Sequence, residues 1–361
     1  MDESNPTAAA GARTAGTAVV DVHNHAVPAS FLEAVRRDGG RYGYELIEAA
    51  ETERGDLEVA TPDGIVVSAG GRKSDEAARA ADMATAGIDL RLQSISPGLM
   101  GYGAGEAAAE WAARELNDAL AADQATNPAG ISAMATVPLQ FPGLAVRELE
   151  RATREHGMRT VQIATNVNGE NLDHPQFIPF WEAAAGLDLL VFVHPRYQLG
   201  RHRMSRYRLS NLIGNPLETT IAAGCLVFGG VLERSPTLKV CLAHGGGYVP
   251  YNLGRWRHAA GRRSETRAEA DAAGGRRPLA EYVRRLYFDS LVFDDATIRF
   301  LVETVGADRV ILGTDYPTTM SDPQQVHRLA VADWLDAEQR AMILGGNALG
   351  LLGLARTGAV A

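Results

Sequence analysis

Eight short apolar runs recur along the chain, at residues 17–22, 90–96, 131–138, 160–165, 189–194, 239–244, 286–290 and 310–315. Between them lie longer stretches, among them 107–123, 144–156, 215–233 and 295–305, whose apolar residues fall near helical spacing. A strand covered on both faces reads as a continuous apolar run, and parallel neighbours need a crossover, usually a helix. Eight such units are expected to close into an α/β fold, a (β/α)8 TIM-type barrel. The length of 361 residues suits one large barrel, and 38 glycines suit its many tight turns.

The rhythm breaks between residues 28 and 80, where Gly39-Gly40, Pro62-Asp63-Gly64 and Gly70-Gly71 mark turns around short extended pieces. This interval is expected to be a small inserted subdomain over the barrel mouth, after the first strand. Residues 1–18 carry acidic side chains near Met1 and lack the basic start and apolar stretch of a signal peptide, so they are expected to be a flexible tail before a barrel spanning 19–355. The charged, Gly/Ala-rich stretch 261–278 reads as an exposed loop, and 336–352 as a terminal helix packed on the barrel.

Composition removes several classes of function. A formal charge of −9 disfavours broad contact with nucleic acid or an anionic membrane, both of which need a basic surface. No stretch approaches the roughly 18 to 20 uninterrupted apolar residues of a membrane span. The two cysteines, Cys225 and Cys241, sit in apolar runs and read as reduced buried thiols, as in a cytoplasmic protein.

Active sites of barrels lie where the strands end. His23 and His25 end the first run, His194 the fifth, His244 the sixth and Asp315 the eighth. Alternate residues of a strand share a face, so His23 and His25 can both point into the mouth while Asn24 points away. Zn²⁺ accepts imidazole nitrogen and carboxylate oxygen together and leaves a position open in catalytic sites. Three histidines and Asp315 supply such a set. Each residue also has a plainer role open to it. His194 before Pro195 can end a strand, His244 before three glycines can serve a turn, and Asp315 can cap a helix. Coincidence at five positions favours a site. His156, His174, His202, His258 and His327 fall in helical or loop stretches and read as exposed or structural.

Four segments carry a resemblance: Asp21-Val22-His23-Asn24-His25, Val193-His194-Pro195, Leu242-Ala243-His244-Gly245-Gly246-Gly247 and Ile311-Leu312-Gly313-Thr314-Asp315-Tyr316-Pro317. They resemble the motifs of the aminocarboxymuconate semialdehyde decarboxylase family in the amidohydrolase superfamily. The likeness continues through residues 161–168, 216–221, 288–290 and 346–348, and covers about residues 19 to 353. It implies a single zinc on His23, His25, His194 and Asp315, with Mn²⁺ or another divalent transition metal as the alternative and no organic cofactor. It also implies His244 as the acid/base residue and Asp315 as a catalytic proton relay as well as a ligand. The family is dimeric, and Arg255 in Leu253-Gly254-Arg255 matches an arginine that reaches a neighbouring site to hold the substrate carboxylate.

Two positions depart from the pattern. The family's second carboxylate-binding arginine follows an Asp-Gly turn, whereas Asp63-Gly64 is followed here by Ile65-Val66-Val67-Ser68, and Arg72 is the nearest arginine. Arg196 stands where the family has tryptophan after the strand-five His-Pro, which makes it a candidate for bidentate contact with a carboxylate. The implied activity is metal-dependent, non-oxidative decarboxylation of a small unsaturated or aromatic carboxylic acid, which makes the chain a carbon–carbon lyase. The same site, by lowering the pKa of a water, could instead serve a hydrolase or hydratase of a small cyclic or carboxylated substrate. A silent barrel kept as a binding module is a third reading, which the complete ligand set disfavours.

Overall fold

The apolar runs pair edge to edge in a computed structural model that describes residues 18–48, 56–260 and 277–354. The expected tail, apart from Ala18, and the expected loop at 261–278, apart from its last two residues, lie outside the described residues. Strands β1 (Val20–Ala26), β2 (Leu90–Ile95), β3 (Ile131–Thr136), β4 (Thr160–Ala164), β5 (Leu190–His194), β6 (Lys239–Leu242), β7 (Leu286–Asp289) and β8 (Val310–Ile311) lie side by side in chain order. Every neighbouring pair is parallel. The seam between β1 and β8 closes mostly beyond the short last strand. There Val22 N–H donates to Leu312 O at 2.9 Å, Asp315 N–H to His23 O at 2.8 Å and His25 N–H to Tyr316 O at 2.7 Å. A parallel bridge joins Asn24 to Tyr316, and the result is a TIM-type (β/α)8 barrel.

Two apolar regions stabilise this architecture. The larger lies between the barrel wall and its surrounding helices, and the smaller fills the barrel interior with Val20, Val22, Leu92, Met134, Phe192 and Ile311. Leu349 and Leu352 of the last helix belong to the interior cluster and plug the N-terminal end of the barrel.

β1 differs from the sequence reading in a way that matters. It runs through both histidines to Ala26 instead of stopping before them. Its pairing with β2 shifts between Asp21 and Asn24, so that Val22 and His23 together oppose Leu92. This bulge re-aims the strand. Val20 and Val22 face the interior core, yet His23 and His25, of opposite parity, face inward too.

The run at 215–233 divides into helices Asn215–Phe228 and Val231–Arg234, because Gly230 takes a left-handed φ of 74°. Of the stretch 336–352, Asp336 caps a helix that is continuous from Ala337 to Leu352 and widens at Met342–Gly346. Within the interval 28–80 the chain forms helix Ala29–Asp38 and a three-stranded antiparallel sheet of Glu45–Ile47, Glu58–Ala60 and Val66–Ser68. Helix Glu76–Ala86, capped by Asp75, then leads into β2. The small sheet docks on the loop after β2 through glycines. A Cβ on Gly98 would fall 2.6 Å from Val67 Cγ2, and one on Gly103 would fall 2.6 Å from Asp63 Cβ. No helix among the described residues is long and apolar enough to cross a membrane.

Gly345 shows how tightly the terminal helix meets β1, since a Cβ there would lie 1.8 Å from Ala18 O, whereas nothing lies within 4 Å of one on Gly350. Gly345→Ala is expected to cost about 1–3 kcal/mol in urea unfolding, as overpacking does. Gly350→Ala, in the same helix, is expected to be neutral or stabilising.

Candidate metal centre

The inward side chains at the C-terminal end of the barrel converge on one point. One ligand atom from each of His23, His25, His194 and Asp315 lies within 4.8 Å of all the others, and all four residues are buried. The hydrogen bonds around them determine which ring nitrogen carries the proton. His23 Nδ1 donates to Asp289 Oδ2 at 2.6 Å. His25 Nδ1 donates to Ser94 Oγ at 2.9 Å and Ile95 O at 3.1 Å, and His194 Nδ1 to Pro195 O at 3.1 Å. Ser94 Oγ spends its own hydrogen on Asn24 O, so it can only accept from His25.

Each Nδ1 is therefore a donor directed outward, and each Nε2 turns its lone pair inward. The Nε2 atoms of His23 and His25 stand 3.1 Å apart, and both lie 3.3 Å from Asp315 Oδ1. His194 Nε2 and Asp315 Oδ1 have no hydrogen-bond partner. Clustered lone pairs repel one another, and buried polar atoms are rarely left unsatisfied. A cation relieves both problems, and the outward Nδ1 bonds are the second layer by which metal-binding histidines are oriented.

Charge points the same way. Burial opposes charge on His23, yet Asp315 and Asp289 outweigh burial and push the imidazole up to about 10. Burial tends to raise Asp315, but His23 and His25 hold it well below the usual carboxylate range. Burial, reinforced by His25 and His23, presses His194 well down, so this ring stays neutral. Two buried carboxylates thus hold a proton on His23 while His25 and His194 stay neutral, and a divalent ion would take the place of that proton. The residues present fit such a group.

His244 stands just outside this set. Its ring centroid lies 5.1 Å from that of His23 and 5.4 Å from that of His194, and its Nδ1 is buried without a partner. Burial, then the charge on His23, lowers it to about 4, so it is a neutral base at pH 7. His244 and Asp315 both lie beyond their strands and adopt a left-handed φ of 56°. Such conformations in residues with a Cβ cost on the order of 1–3 kcal/mol and gather at functional sites. Gly245 follows His244, and its N–H donates to Asp289 Oδ1 at 2.8 Å.

Asp289 thus joins the His23 ring to the His244 loop, a role that the sequence reading did not assign. Its only signal was an acid closing β7 inside Phe288-Asp289-Ser290. Beside His244 opens a cavity of about 650 Å³, walled by Leu212, Pro216, Tyr248, Phe293, Phe300 and Met320 among others. Among the described residues, no arginine lines it.

The two candidate substrate arginines lie elsewhere. Arg255 is exposed on helix Val249–Ala260, one turn after Tyr251, which borders the cavity. Arg196 is half-buried, its guanidinium carbon is 5.4 Å from the centroid of the Tyr197 ring, and its Nε has no partner. Arg72 is engaged with Asp82 at 2.6 Å.

A family profile described as Amidohydrolase matches residues 20–354. The 2-amino-3-carboxymuconate-6-semialdehyde decarboxylase of Dictyostelium discoideum is 37% identical over 267 residues, covering 74% of this chain and 73% of that protein. The gamma-resorcylate decarboxylase of Polaromonas sp. strain JS666 is 28% identical over 75% of this chain and 85% of its own length. Among solved structures, a dihydroxybenzoic acid decarboxylase from Polaromonas sp. JS666, with bound manganese and the inhibitor 2-nitroresorcinol, superposes with a TM-score of 0.74. It is 23% identical and covers 93% of this chain and 97% of that one.

Metal-free protein titrated with Zn²⁺, Mn²⁺ or Co²⁺ is expected to take up about one ion per chain. Less than about one ion per two chains would exclude the site. His194→Ala is expected to abolish this uptake and His244→Ala to leave it intact, as measured by calorimetry or elemental analysis.

Proposed function

The chain belongs to the amidohydrolase family, and on that premise we propose that it is a metal-dependent, non-oxidative decarboxylase of a small unsaturated or aromatic carboxylic acid. The observation that carries this reading is the convergence of three imidazole nitrogens and one carboxylate beside His244, whose buried Nδ1 has no partner. Its relatives supply the reaction class, since both the muconate semialdehyde and the resorcylate enzymes are decarboxylases.

A divalent cation, zinc in our assignment with manganese as the alternative, would be held by His23, His25, His194 and Asp315 and would supply Lewis acidity to an oxygen of substrate or water. His244 is the acid/base residue. Its neutral ring takes up a proton at Nδ1, and the protonated ring delivers it. Asp315 is assigned to relay that proton as well as to hold the cation. Protonation of the carbon that bears the carboxylate loads the C–C bond. Its electron pair then returns to the unsaturated skeleton as CO₂ leaves, so no oxidant is needed. The apolar cavity beside His244 suits a flat carbon skeleton.

Arg196 and Arg255 are assigned to substrate carboxylates. Because Arg255 is exposed and absent from the wall of its own cavity, we assign it to the site of a second subunit in a homodimer. Tyr251 supports this, being 84% exposed next to that cavity. Free Cys225 and Cys241 fit a reducing, cytoplasmic setting.

Metal-loaded enzyme mixed with a panel of aromatic and muconate-type acids is expected to release CO₂, read as bicarbonate formation. Turnover of esters, lactones or amides without CO₂ would favour the hydrolase reading instead. The dimer assignment has its own test. Arg255→Ala and His244→Ala are each expected to be nearly inactive, yet refolded mixtures should recover roughly a quarter of wild-type turnover if Arg255 acts across the interface. No recovery would place Arg255 in its own site, and wild-type activity of Arg255→Ala alone would place it outside the reaction.

A further inference from the structure

We infer that Arg79 is a positioning residue of the metal centre: from outside the barrel wall its guanidinium fixes the backbone that carries His23 and His25. This rests on the reading of those histidines as metal ligands. Arg79 lies on helix Glu76–Ala86 and is 1% exposed, an unusual place for a charge. Its Nη1 donates to His25 O at 2.7 Å and Arg72 O at 3.1 Å. Its Nη2 donates to Asn24 Oδ1 at 2.6 Å and Gln93 Oε1 at 3.2 Å. The two shortest bonds thus go to the His-Asn-His segment itself.

The same guanidinium covers the ring of Tyr316, 5.4 Å from its centroid, and Tyr316 directly follows the ligand Asp315. Asn24, held at Oδ1 by Arg79, donates through Nδ2 to Asp21 Oδ2 at 2.9 Å, and Asp21 accepts from Thr314 Oγ1 at 2.7 Å. Arg79 therefore touches two of the three strand ends that supply ligands, those of β1 and β8, at the seam where backbone pairing is thinnest and next to the bulge that turns His23 inward.

A purely structural buried arginine is best placed squarely against a carboxylate, because desolvation is otherwise costly. Here the nearest acid is Glu76, whose Oε2 is 3.5 Å from Nε, and Glu76 is shared with the buried Arg91. The strong bonds are spent on neutral oxygens of the ligand segment. Only a planar fork of donors reaches two of them at once, and lysine, a compact point charge, cannot reproduce that.

The test is the Co²⁺ and Zn²⁺ dissociation constant of the full-length protein, measured by competition with a chromogenic chelator, alongside thermal unfolding of the metal-free forms. Arg79→Met and Arg79→Lys are expected to weaken metal binding roughly 10- to 100-fold, the range seen when outer partners of metal ligands are lost. They are also expected to alter the visible spectrum of the Co²⁺ form. Asn24→Ala should act in the same direction.

Arg151→Met is the control, since Arg151 pairs with Asp118 and Glu148 on the outer helices. It should lower the unfolding temperature and leave the metal constant unchanged. If Arg79→Met does not fold, Arg79→Lys and Asn24→Ala decide. Metal constants and Co²⁺ spectra indistinguishable from wild type in both overturn the inference while leaving the metal centre intact. Failure of the wild-type chain itself to bind metal overturns both.

Discussion

Three imidazole lone pairs and a carboxylate oxygen face one another in a space from which water is largely excluded, and the protein alone cannot satisfy them. Most of what is unusual in the structure serves to hold them there. The bulge in β1 turns two histidines of one strand into the barrel together. Asp289, Ser94 and two backbone carbonyls take the Nδ1 protons, so that every Nε2 faces inward as an acceptor. The barrel closes on the same residues, for His23 O accepts from Asp315 N–H across the seam. Ligand geometry and fold closure are one arrangement, so damage to either should appear in both.

His244, the proposed acid/base residue, sits one step away from this set. His244 is close enough to feel the charge on His23, and its loop is held by Asp289, the residue that orients the His23 ring. The left-handed backbone at His244 and Asp315 is strain that the surroundings impose. Gly245, Gly246 and Gly247 follow with positive φ, and a Cβ on Gly247 would meet Pro216 O at 2.1 Å. Three glycines let the turn pass close to helix Asn215–Phe228 and bring the imidazole to the edge of the cavity.

The groups proposed to select substrate are arranged differently from the candidate metal ligands. The cavity wall is mostly apolar, and among the described residues it carries no arginine. Arg196 points toward Tyr197 and the neighbourhood of the inserted hairpin, where Asp63 is among the charges acting on it. Arg255 is exposed and does not line its own cavity. A metal centre built from strand ends can be kept while the loops and the inserted sheet around it change.

Much of this was legible in the chain. The eight apolar runs correspond to the eight strands because strands buried on both faces must be apolar, and that constraint is local. The histidines and Asp315 stood out because polar groups at strand ends have little reason to be there unless the barrel mouth uses them. What periodicity could not supply was phase. The bulge that lets Val22 and His23 both face inward appears only when β1 pairs with β2. Asp289, Ser94 and Arg79 lie 266, 69 and 54 residues in sequence from the histidine each supports, so no local pattern joins them. Residue chemistry and strand order were determined by sequence. Which nitrogen faces the metal, which residues hold it there, and which arginines are left outside were decided by tertiary contact, because hydrogen bonds between distant segments exist only after the barrel has closed.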